Sequence, residues 1–98
     1  MKFMSLLTLH VAPENVAEVL DFYRRERVLE ESGAASAQLM LDEENPGTVL
    51  ITAFWSEVDG YARWLESPLR ARLSAGIAAV AGESLTATNR EYRVVHKA

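Results

Sequence analysis

The chain has 98 residues, 49% of them hydrophobic, 24% charged and 8% aromatic, the composition of one soluble globular domain over residues 1–98. Lys and Arg number 10 against 14 Asp and Glu, a formal charge of −4, and that sign speaks against nucleic acid and anionic membrane surfaces as partners. The absence of cysteine excludes disulfides, thiolate metal sites and a cysteine nucleophile, and suits a reducing, cytoplasmic setting.

Lys2 followed by an apolar run could suggest a secretory leader, but Ser5, Thr8 and His10 interrupt it and no small-residue cleavage site follows, so none is expected. No stretch approaches the roughly 18 apolar residues of a membrane span. Phe3 to Val11 reads as a strand with Phe3, Leu7, Leu9 and Val11 on one side and Met4 and Leu6 on the other, both faces at least partly buried. Pro13-Glu14-Asn15 opens a helix, and Asn15 with Glu18 has the spacing of a capping box. Val16, Val19, Leu20 and Tyr23 form its apolar stripe, and the helix is expected to run to Ser32-Gly33.

Ala35 to Asp42 alternates with period two and reads as the second strand, followed by a turn at Glu44-Asn45-Pro46-Gly47. Thr48 to Trp55 is the most apolar segment, with Val49, Ile51, Ala53 and Trp55 on one side and Leu50, Thr52 and Phe54 on the other. Ser56 is expected to cap a short helix carrying Tyr61, Trp64 and Leu65. Ser67-Pro68 restarts the chain as a further helix with Leu69, Leu73, Ile77 and Val80 inward, closed by Gly82. Glu83 to His96 is a last, polar strand.

The order β-α-β-β-α-α-β predicts an α+β fold of the ferredoxin-like, split βαβ type, with an antiparallel sheet and its second helix broken in two. Helices on one face leave the other face, with Met4, Leu6, Leu50 and Phe54, in need of cover. A homodimer that closes two sheets into an α+β barrel is the expected solution.

The run from Phe54 to Leu69 contains Trp55, Tyr61-x-x-Trp64 and Ser67-Pro68. It resembles the W…Y/F-x-x-W-x-x-S-P segment of the antibiotic biosynthesis monooxygenase family, in the dimeric α+β barrel superfamily. The Pro-containing first helix start, the Gly33 turn, the Asn45-Pro46-Gly47 turn and the closing Tyr92-Arg93-Val94-Val95 are similar to that family in order and spacing. The resemblance implies a cofactor-independent monooxygenase that oxidises an aromatic phenol, hydroquinone or polyketide-like substrate with O₂, without metal, flavin or haem. An electron-rich phenolate can itself reduce O₂, so the protein need only bind the ring, remove a proton and exclude water. In the haem-degrading branch the resemblance would put an Asn and an axial His where this chain has Leu7 and Ser74, which disfavours haem.

The candidate pocket lies between the sheet and the short helices, on the face carrying Val58, Tyr61, Trp64 and Leu65. Trp64 and Tyr61 are candidates to orient the substrate ring, and Trp55 and Tyr23 to line its site. His10 is the candidate proton acceptor, although its parity groups it with Met4, Leu6 and Thr8. Asn89 and Arg90 could hold a phenolate or a superoxide-like anion. The oxygenase reading expects an enclosed cavity of roughly a few hundred Å³ beside Tyr61 and Trp64. A pocket filled by those rings favours the alternative, a non-catalytic dimeric barrel that binds a hydrophobic ligand or serves in stress response.

Overall fold

A computed structural model describes residues 2–98, Met1 lying outside the described residues. In chain order the elements are β1 (Lys2–His10), a 3-10 turn (Pro13–Asn15), α1 (Val16–Arg25), α2 (Val28–Glu31) and β2 (Ser36–Leu41). There follow β3 (Thr48–Trp55), α3 (Gly60–Glu66), α4 (Pro68–Ala81) and β4 (Thr86–Val94). All strand pairs are antiparallel and the sheet order is β2-β3-β1-β4, the ferredoxin-like arrangement. No helix of the described residues is long and apolar enough to cross a membrane.

Residues directly opposite one another in neighbouring strands share a face, so the register assigns every side. Leu7 faces Ile51, Leu9 faces Val49 and Ser5 faces Ala53 on the side covered by helices, while Met4–Phe54, Leu6–Thr52 and Thr8–Leu50 lie on the open side. The core forms where the helix-side strand residues Leu9, Val49 and Ile51 meet Val19 and Phe22 of α1 and Leu73 and Ile77 of α4. Val19 and Val49 are wholly buried, each contributing on the order of 1.5–3 kcal/mol.

The helices and the last strand depart from expectation in four places. The first helix is not continuous to Ser32-Gly33: Arg27 adopts a left-handed conformation, φ 53°, and the chain restarts as α2. Such a residue costs roughly 1–2 kcal/mol, but the break turns Val28 into the core, where it is buried. The Asn15–Glu18 capping box does not form, since no side chain caps α1; Asn15 Nδ2 instead donates to the Ala81 carbonyl at 2.9 Å, tying the start of α1 to the end of α4. Ser56 does not cap α3, which begins at Gly60 after a turn. A Cβ on Gly60 would sit 3.2 Å from the Trp55 ring, so glycine lets the helix start directly on the indole. Finally, β4 is shorter than predicted, Thr86–Val94. Ser67-Pro68 and Gly82 do bound α4 as expected, although the Ser67 side chain makes no capping hydrogen bond.

Candidate active site

Between the covered face of the sheet and the helices lies a cavity of about 80 Å³, and the free space counted out through its mouth is about 620 Å³. Its floor is Ser5, Leu7, Ile51 and Ala53; Trp55, Tyr61 and Trp64 form a wall; Tyr23, Val28, Leu73 and Ile77 roof it. Asn89 and Ser74, both exposed, mark the mouth. The enclosed part is smaller than the few hundred Å³ expected, because the tyrosine and tryptophan rings fill much of the space under the helices.

The aromatic wall is fixed by hydrogen bonds. Trp55 is 4% exposed and Ser5 6%, and the indole Nε1 donates to Ser5 Oγ at 2.9 Å, so this ring is a rigid surface with its polar atom already committed. Tyr61 packs against it with ring centroids 5.7 Å apart. Its hydroxyl donates to Asn89 Oδ1 at 3.3 Å, which leaves the Asn89 amide N–H groups as donors at the mouth.

Burial pushes the Tyr23 hydroxyl up to about 12, with Arg70 pulling weakly the other way. Tyr61 is also raised, first by burial, with Arg70 lowering it and Glu91 raising it. Both are therefore neutral donors near pH 7 rather than bases. The lining contains no carboxylate and no imidazole among the described residues, and no group of three or more His, Asp or Glu there is arranged for a metal. Leu7 and Ser74 both belong to the lining, so the positions where the resemblance would put an Asn and an axial His carry an aliphatic side chain and a hydroxyl.

Of the residues singled out in the sequence, Trp64, Tyr61, Asn89, Trp55 and Tyr23 come together around this cavity. His10 and Arg90 do not. His10 is exposed beyond Thr8 on the open side and its Nδ1 lies 3.2 Å from Thr48 Oγ1, while Arg90 is exposed opposite Leu6. Strand alternation turns both to the face away from the helices. Val58 also drops out, lying before α3 and 74% exposed. Arg70, absent from the sequence reading, does reach the lining. Its signal was spacing: residues 70, 73, 74 and 77 share one stripe of α4, so this arginine lies on the helix's inward side.

The model of the antibiotic biosynthesis monooxygenase family matches residues 3–75. No curated protein matches the chain. Among solved structures, a point mutant of SnoaB from Streptomyces nogalater, a cofactor-independent oxygenase, is similar at 16% identity with TM-score 0.75, covering 98% of this chain and 95% of its own. Rv0793 from Mycobacterium tuberculosis is similar at 10% identity and TM-score 0.74, covering 100% of this chain and 99% of its own. A conserved protein from Methanosarcina mazei Go1 is similar at 15% identity and TM-score 0.71, covering 92% and 91%. At such identities these likenesses speak for the fold, and the family follows from the match over residues 3–75: the chain belongs to the antibiotic biosynthesis monooxygenase family.

Proposed function

We propose that the protein is a cofactor-independent monooxygenase acting on a phenol, hydroquinone or polyketide-like aromatic ring. The observation that carries this reading is the cavity itself, a rigid aromatic wall beside polar donors at an open mouth. Trp64 and Tyr61 orient the ring, Trp55 and Tyr23 bound it, and Asn89 donates to its ionised oxygen. The ionised ring reduces O₂ directly; one oxygen atom becomes a carbonyl on a ring C–H carbon and the other leaves as water, taking that hydrogen and the phenolic proton. With no base in the lining, the first proton passes through the mouth to solvent. A fused ring system exceeds the 80 Å³ enclosed space and projects into the mouth.

That small enclosed space and the lack of a proton acceptor favour a second reading, a barrel that binds a hydrophobic ligand without turnover. Oxygen uptake by metal-stripped protein with anthrones, naphthols and hydroquinones separates the two. Uptake above autoxidation that survives chelator and drops in Trp64→Ala supports the oxygenase; no uptake, with tryptophan fluorescence still quenched by ligand, supports the binding protein.

The homodimer belongs to the same proposal. The open side of the sheet presents Met4, Leu6, Leu50 and Phe54, with Met40 36% and Tyr92 44% exposed at its margins. In its middle Thr52 carries a buried hydroxyl without a hydrogen-bond partner among the described residues. A twofold mate seated there covers the apolar groups.

A further inference from the structure

Arg70 is the one cation in the cavity lining among the described residues. It is half-buried, and among the described residues the salt bridges engage Arg24, Arg25, Arg27 and Arg63 but not Arg70. Each of those four arginines pairs at the surface, with its side chain 61–78% exposed. A guanidinium withdrawn from water normally has its N–H groups matched by a carboxylate or other acceptor. Here no carboxylate of the lining answers it: its charge reaches the Tyr23 and Tyr61 hydroxyls, and each is neutral near pH 7. Glu91 also acts on Tyr61; it lies one step from Asn89 on the same side of β4, opposite Ser5, but is exposed and forms no salt bridge with Arg70. A half-buried cation in a lining that holds no carboxylate, beside hydroxyl and amide groups able to donate, describes a receptor for negative charge.

We propose that Arg70 makes this cavity selective for an aromatic ligand that carries an oxyanion, the guanidinium pairing with the charged oxygen while the rings stack on the tryptophan and tyrosine wall. This rests on the cavity being the substrate site, and it assigns the substrate class as an aromatic acid or an ionised phenol. The two sources share one chemistry, an oxygen anion on or beside the ring, and they differ in when the charge arises. A carboxylate arrives charged; a phenol ionises on binding only where direct pairing with the guanidinium outweighs the burial that keeps Tyr23 and Tyr61 neutral.

Calorimetric titration of the intact protein with 2-naphthoate, its methyl ester and 2-naphthol tests this, with Arg70→Gln and Arg70→Lys as variants checked for folding by circular dichroism. For an aromatic acid, the unmutated protein binds naphthoate at least roughly tenfold more tightly than the ester, the size of one charge-assisted hydrogen bond. That preference vanishes in Arg70→Gln and largely survives in Arg70→Lys. For an ionised phenol, bound 2-naphthol shows phenolate absorption at a pH where it is neutral in solution, and Arg70→Gln abolishes it. Equal binding of naphthoate and ester together with un-ionised naphthol overturns the proposal, as do preferences unchanged in Arg70→Gln or no binding of any probe. Should Arg70→Gln fail to fold, an unmutated protein that shows neither preference is enough to overturn it, and Arg70→Lys carries the variant arm. The oxygenase reading fails separately: Arg70-dependent anion binding without oxygen uptake removes the oxygenase and keeps this site, whereas uptake of neutral hydroquinones without anion preference does the reverse.

Discussion

Replacing Gly76 with alanine sets two effects against each other where α4 crosses α1. Alanine in a helix interior is favoured over glycine by about 1 kcal/mol. Against that, a Cβ at position 76 would overlap the end of the Phe22 ring, with Phe22 Cε2 only 2.6 Å away. Phe22 is 8% exposed and belongs to the core with Val19 and Leu73, so its ring has little room to retreat, and overpacking of this kind costs about 1–3 kcal/mol. The clash wins, and Gly76→Ala is expected to destabilise by up to about 2 kcal/mol. For a chain of this size each 1 kcal/mol corresponds to roughly 4–8 °C in Tm. Thermal melts at one fixed protein concentration read the effect, because an associating protein's Tm depends on concentration. The double variant gives the decisive comparison. Once Phe22→Leu has shortened the obstructing side chain, adding Gly76→Ala should raise stability by about 1 kcal/mol over Phe22→Leu alone, since only the propensity gain remains. A Gly76→Ala protein that melts higher than the unmutated one would refute the close α1–α4 contact, and with it the rigid roof that Tyr23 and Ile77 form over the cavity.

Ser5→Ala leaves the buried Trp55 N–H without its acceptor and should cost about 1–3 kcal/mol in a urea titration; a loss within error would mean that the indole finds another partner. Raising the pH tests Tyr23. Its hydroxyl keeps its proton up to about 12 in the folded chain against 10.0 when unperturbed, so the stability present below pH 10 is lost as pH rises toward 12, by at most about 2–3 kcal/mol. Tyr23→Phe should lose correspondingly less over that range, and identical pH profiles would count against the burial of the hydroxyl. Phe54→Glu on the open side of the sheet should give monomer or insoluble protein by sedimentation, whereas a stable folded monomer of the unmutated chain at micromolar concentration would remove the interface.

The strands, their alternation and the ferredoxin-like order were legible in the sequence because period-two patterning, a Pro-Gly turn and the Ser-Pro helix start are local signals that the tertiary structure did not override. The same locality made the Tyr61-x-x-Trp64 pair readable. Where a contact joins distant segments, local signals fell short. Asn15 has a capping spacing, but the Ala81 carbonyl, 66 positions away, claims its side chain. The first helix has one continuous stripe, yet Arg27 bends it so that Val28 can reach the core. His10 had the right chemistry for a base, but strand parity already grouped it with Met4, Leu6 and Thr8, and the sheet register puts that face away from the helices. Arg70 looks in sequence like any helical cation. It becomes a candidate anion partner only when folding sets α4 over the sheet and carries its side chain to a cavity whose lining holds no carboxylate. Pattern determines which residues a segment turns inward; what they meet there depends on segments far away in the chain, and that is decided by packing alone.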